Sequence, residues 1–295
     1  MYMQSLAIFA CVNMIAVAGL VLLTGYTGIF SIGHAGFMAV GAYTAVISFK
    51  FLGVPFLLAI ILGGVGALLI SVIIGYPALK NMMAGDAFAI VMLGFVSVIR
   101  ISIANTNPVF NASFGISDIP RRSTMSVVLV FTVLLVFFMR NFLKSHYGKN
   151  CVAVQQQELA AEMVGVNILK TKLIALMISA FYAGVAGGLF SFFATYLAPT
   201  NFAEAKSDDL LAAVVLGGMN SISGPLLAAT ILIVLPEALR FLAIWRLGFY
   251  GAAFVAIMQF KPEGLLGYKE ISFKWAVKLY KKVRGKTDDS ANGAA

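Results

Sequence analysis

Apolar stretches close to bilayer length recur from the first residues to about Phe260, at roughly 5–24, 34–50, 54–79, 86–104, 124–143, 171–196, 208–221, 224–243 and 248–260. A helix is the element that can cross hydrocarbon alone, because it satisfies its own backbone amides. The fold class expected is therefore an all-α integral membrane protein, a polytopic bundle of about 8–9 transmembrane helices. The 208–221 window is short for an untilted crossing. With 61% hydrophobic and only 11% charged residues, the bundle must turn its apolar surface to lipid or to other helices.

Three polar stretches punctuate the spans. Residues 105–123 are rich in Asn, Ser and Pro, residues 144–170 read KSHYGKNCVAVQQQELAAEMVGVNILK, and a basic tail begins at Lys261. The chain divides into a transmembrane domain, 1–260, and a tail, 261–295. The tail starts as a basic amphipathic stretch around Trp275, Val277, Leu279 and Tyr280 and ends in small polar residues. It reads as a membrane-surface helix followed by a disordered end. If the 144–170 loop and the tail share one side, that side holds fourteen basic residues against six opposite. The positive-inside rule then makes both cytoplasmic and 105–123 external. The formal charge of +9 marks that inner face and its anionic lipid, not a nucleic-acid surface. The first apolar stretch lacks a basic leader and a small-residue cleavage pattern, so it reads as a retained span. Cys11 and Cys151 read as structural thiols, with no disulfide framework or metal site.

GYTGIFSIGHAG, residues 25–36, packs Gly25, Gly28, Gly33 and Gly36 with Thr27 and Ser31 between two spans. Either the helix breaks there into a broken or re-entrant segment, or small residues simply let helices approach. GIFSIG, 28–33, is echoed by GMNSISG, 218–224. Paired glycine interruptions in the two halves of a chain point to a central pathway in transporters. His34 at membrane depth admits a relay or ligand role, although a hydrogen bond to a neighbouring backbone is the commoner fate. Arg100 reads as snorkelling from the outer end of its span.

QQQELAAEMVGVN is helical in character for a loop. Its Ala160 and Ala161 form a small face suited to a groove on another protein, with Gly165 allowing the turn behind it. No G-x-x-x-x-G-K-[ST] occurs, so an ATPase driving this protein would be a separate chain.

Six blocks in order resemble the LivM/LivH permease family of branched-chain amino acid ABC transporters, LivM-type most closely. They are GYTGIFSIGHAGFMAVGAYTAV; GDAFAIVMLGFVSVIRI; GISDIP; ELAAEMVGVN followed by KLIALMISAFYAGVAGGLFS; LLAAVVLGGMNSISGPLLAA; and YGAAFVAIMQFKPEGLLG. The resemblance implies that 144–170 carries the coupling helix that docks on an ATP-binding subunit, with Glu158, Ala160, Ala161, Glu162 and Gly165 at the matching positions. It implies a translocation pathway bordered by Gly25, Gly28, Ser31, Gly33, His34, Gly217, Gly218, Ser221 and Gly224. It also implies an external substrate-binding protein docking near 105–123, and a second, LivH-type permease or a second copy of this chain. The family often has arginines where this chain has Val152 and Gln155, and a glutamate where it has Ser97. The outer-loop Thr-Gly-Gly common in relatives is replaced by NASFG.

The function expected is that of a permease subunit of an ATP-driven importer in the inner or plasma membrane. It would move a small solute, branched-chain amino acids first and urea, amides or other amino acids after them. It would carry no catalytic residues, metal or cofactor of its own, the ATP being used by partner subunits. An ion-coupled secondary transporter would be expected to place acids at membrane depth, whereas Asp86, Asp208, Asp209 and Glu237 fall near predicted span ends. An intramembrane enzyme would need an acid–base pair or a metal cluster, which the sequence lacks.

Overall fold

A computed structural model describes residues 2–81, 85–105 and 115–238, together with Gly251, Gln259 and Gly264. Its helices are α1 (Tyr2–Leu20), α2 (His34–Leu52), α3 (Phe56–Asn81), α4 (Gly85–Asn105), α5 (Met125–Lys144), α6 (His146–Gln156), α7 (Glu158–Met163), α8 (Ile168–Ala194), α9 (Glu204–Gly217) and α10 (Ser223–Ala238). Six described helices are long and apolar enough to cross a membrane: α1 with the π-helical turn Val21–Gly25 that extends it, α2, α3, α4, α5 and α8. The window at 208–221 corresponds to α9, only 14 residues long. That is about 21 Å at the helical rise, well short of a bilayer core. The window at 224–243 is α10 as far as Ala238, and that at 248–260 lies almost wholly outside the described residues, as does the tail.

Helix α8 is the axis of the bundle. Its small residues let α2 and α3 come against it: a Cβ on Gly41 would overlap the Gly184 backbone, and one on Gly184 would come 2.8 Å from Gly63 O. Such close approach favours dispersion contact where lipid supplies no hydrophobic drive. Helix α1 lies antiparallel on the far side of α8, with Phe9 edge-on to Phe190 and Phe193 at 5.7 and 5.1 Å. Leu58, Leu69, Ile73, Ile90, Val133 and Phe137, all exposed, make the outer surface of α3, α4 and α5 apolar. That is the surface a bundle presents to lipid.

Beyond the C-terminal end of α8 the chain turns through Thr195 and pairs Leu197 with Ile116 in a short bridge. It then passes through a 3-10 turn, Pro199–Phe202, into α9. At the opposite end, α6 and α7 follow one another across the extended Gln157. The Ser145 hydroxyl caps α6 by accepting from Gly148 N, and the Asn167 side chain caps α8 by accepting from Lys170 N at 2.9 Å.

Candidate functional site

The two glycine segments are alike in geometry as well as in letters. In each, a helix stops, a glycine takes a positive φ (Gly28 at 73°, Gly218 at 102°), and a serine follows three residues on. Ser31 Oγ accepts from Gly33 N, and Ser221 Oγ from Gly224 N, both at 3.3 Å. Those amides sit at or beside the starts of α2 and α10, where backbone donors have no partner within the helix. The shared letters thus describe a stop and restart. Thr27 completes the stop after α1, its hydroxyl donating to Leu23 O at 2.6 Å and Leu22 O at 3.0 Å.

The structure brings these segments against one another instead of setting them across the bundle. A Cβ on Gly25 would overlap Met219 O, and Tyr26 Oη donates to Asn220 O at 3.4 Å. Gln155, at the end of α6, joins the same corner. Its Nε2 donates to Asn220 Oδ1 at 3.2 Å, and its Cγ lies 3.6 Å from where a Cβ on Gly28 would stand. Gly217 and Gly224 close tightly on one another, and Gly264 lies against Gly218. One corner therefore holds both glycine segments and the end of the loop helix. Gly33 is packed by the Met92 side chain of α4.

Ser31, His34 and Ser221 are fully buried. His34 Nε2 shares a hydrogen bond with Ser179 Oγ at 2.7 Å, so its partner is a side chain of α8 and not the neighbouring backbone expected. Among the described residues its Nδ1 has no partner. Ser179 Oγ also donates to Gly19 O at 2.7 Å. Residues 20–33 therefore leave one level of α8, near its middle, and return to the same level before α2 begins.

The loop differs from expectation in one respect. Ala160 is exposed, but Ala161 is only 3% exposed, so the two do not make one outward face. Adjacent helical positions are about 100° apart, and the inward turn of one carries the other out. The outward apolar group is Leu159, Met163 and Val164, exposed by 72, 89 and 78%. Leu159 and Met163, four apart, share a face. Glu162 and Gly165 are exposed beside them, and Gly165 takes φ 86° after α7 with open space around it. Glu158 Oε1 accepts from Lys172 Nζ at 2.7 Å, tying α7 to the first turns of α8. Both cysteines are free thiols, and burial pushes Cys151 in α6 up to about 11.

Arg100 does not snorkel alone. Its Nη1 meets Glu204 Oε2 at 3.2 Å, and Ser97 Oγ donates to Glu204 Oε1 at 2.8 Å. The carboxylate absent at position 97 is supplied from α9, a partner more than a hundred residues away that helical spacing could not reveal. Among the described residues no cluster of His, Cys, Asp and Glu could hold a metal ion.

The family model for the branched-chain amino acid transport system / permease component matches residues 2–258. The chain belongs to that family. Among curated relatives, the high-affinity branched-chain amino acid transport system permease protein LivM of Salmonella typhimurium is 31% identical over 282 residues, and that of Escherichia coli 30%. The alignments cover 84% of this chain and 66% of each relative, so the chain spans somewhat less than two thirds of their length. The probable branched-chain amino acid transport permease protein LivH of Methanocaldococcus jannaschii is 24% identical, over 79% of this chain and 78% of its own. No solved structure matches at a significant level.

Proposed function

We propose that the chain is a permease subunit of an ATP-driven importer of the inner or plasma membrane, carrying branched-chain amino acids by alternating access. Membership of the permease family along residues 2–258 carries this reading. The pathway would run beside the two glycine segments, with 20–33 and α9 as broken elements at membrane depth, since irregular backbone is tolerated there only inside protein or along a cavity. The 144–170 loop and the tail would be cytoplasmic, and 105–123 would meet a soluble substrate-binding protein outside. A second permease, of LivH type or another copy of this chain, would complete the path.

Leu159, Met163 and Val164 are an apolar knob on a short helix beyond the ends of the spans, which suits a groove on an ATP-binding subunit. Motion of α7 would reach α8 through the Glu158–Lys172 pair, and motion of α6 would reach both glycine segments through Gln155. The chain would perform no chemical step. ATP binding and hydrolysis in the partner subunits would bias inward against outward states by differential contact with the loop.

Uptake of labelled leucine by cells expressing the complex tests the proposal. Depletion of ATP at a maintained proton gradient should abolish uptake, and collapse of the gradient at maintained ATP should leave it. The opposite pattern would transfer the chain to the ion-coupled class. Loss of urea or amide uptake in place of leucine uptake would keep the class and change the solute.

A further inference from the structure

The sequence leaves Asp208 and Asp209 near a predicted span end, but the contacts set the first turn of α9 deeper. His34 and Gly19 meet α8 at Ser179, near its middle. Gly33 and Gly36 meet α4 at Met92 and Phe95. Ala35 N donates to Ser207 Oγ of α9 at 2.9 Å. The first turn of α9 is therefore level with the start of α2 and with the turn of α4 that precedes Ser97. Arg100 lies five residues before the end of α4, about 8 Å in from it. Ser97, Arg100 and Glu204 thus form a polar bridge between α4 and α9 well inside the length of the spans.

That bridge is not sealed. The side chains of Arg100 and Glu204 are 35% and 31% exposed, and Asp208, one turn along α9, is exposed too. Charged groups at this level are expensive against lipid. The open side must therefore face water or protein. Nor does the pair have an evident structural purpose, since a partly exposed ion pair contributes little to stability. What it offers is a cation and an anion side by side, presented to one open face.

We propose that Arg100 and Glu204 line the solute path and receive the carboxylate and the ammonium group of a zwitterionic amino acid, their mutual ion pair opening as the solute passes. This deepens the permease reading and rests on it. Arginine suits a carboxylate because its planar donors match two oxygens. Ser97 holds one Glu204 oxygen in place, leaving the carboxylate oriented when the arginine turns to the solute.

The test uses the complete complex in proteoliposomes, with Cys11 and Cys151 replaced by alanine and a reporter thiol at the exposed Ala205 (Ala205→Cys). A charged, membrane-impermeant methanethiosulfonate should modify this thiol, and leucine present during turnover should slow the reaction. In the parent without the reporter, Arg100→Gln and Glu204→Gln should each lower ATP-driven leucine uptake by about tenfold, one charge-assisted contact, with the complex still assembling. Arg100→Lys should retain part of the rate; it serves as the charge-preserving control and carries the test if the neutral variants fail to assemble. An unreactive thiol, a reaction indifferent to leucine, or a double variant Arg100→Gln/Glu204→Gln with full uptake would each overturn the site. ATP-driven uptake by the cysteine-free parent reports separately on the permease reading, which stands if only the site fails.

Discussion

Glycines 25 and 28 sit three residues apart in one segment, yet the structure requires them for different reasons, and substitution separates the two. Gly28 has φ 73°, while a Cβ there would meet only Gln155 Cγ at 3.6 Å and Gln155 Cα at 3.8 Å, ordinary contact. Gly28→Ala therefore introduces backbone strain without a clash, about 1–2 kcal/mol. Asparagine is several-fold enriched over other non-glycine residues at positive φ, so Gly28→Asn should lose less than Gly28→Ala. At Gly25 a Cβ would overlap Met219 O and come 3.2 Å from Met219 C, backbone atoms that yield only if the whole 218–222 turn moves. Gly25→Ala should cost about 1–3 kcal/mol as overpacking, and asparagine should be worse than alanine. Gly218, at φ 102° and ψ 121°, lies outside the well that asparagine tolerates, so Gly218→Asn should not be rescued either. Thermal unfolding of the purified variants in detergent, followed by size-exclusion chromatography, ranks them. Equal losses for Gly28→Ala and Gly28→Asn, or a neutral Gly25→Ala, would refute the reasoning.

Other outcomes follow from the loop and its neighbours. Ala161→Arg should reduce the yield of folded protein, because position 161 is buried, whereas Gly165→Arg should fold with a smaller loss, since only its φ of 86° is strained; the reverse ranking by expression and chromatography would contradict the observed orientation of α7. Gln155→Ala should raise ATP hydrolysis per leucine transported, while the exchange Gln155→Asn with Asn220→Gln, which keeps a donor and an acceptor of the same summed reach, should restore the ratio. An unchanged ratio in Gln155→Ala would show that this hydrogen bond carries no motion. Glu158→Gln should destabilise the chain more than Lys172→Met, because it strands an ammonium whose side chain is only 9% exposed; equal melting temperatures would argue against that asymmetry.

The membrane class was legible in sequence, because it follows from local composition and long apolar runs exclude other folds; clustered glycines with Ser31 and Thr27 admitted a break after α1 but left close helix packing equally open. The echo of GIFSIG in GMNSISG had a local cause as well, a positive φ followed by a serine acceptor. What stayed hidden was long-range. Nothing near Arg100 in sequence points to Glu204, and nothing near Gly25 points to Met219, since these partners are set by how α9 packs. The shortness of the 208–221 window showed in sequence, but where α9 begins within the bundle was hidden for a related reason. Its apolar letters resemble the latter half of a span, and only the contact of Ser207 with the start of α2 reveals that the helix begins partway along the bundle. The direction of Ala161 depended on where α7 lies against α8, which periodicity over six residues cannot specify.

The central claim is that this chain is moved by an ATPase through Leu159, Met163 and Val164. Its most direct test is quantitative co-purification of the tagged protein from its native membrane, wild type beside Leu159→Arg/Met163→Arg. An ATP-binding subunit recovered with the wild type and lost from the variant, while the second permease stays bound, is the result predicted. An ATP-binding subunit recovered equally with both would contradict the docking surface, and its absence from both, with uptake indifferent to ATP, would contradict the importer itself.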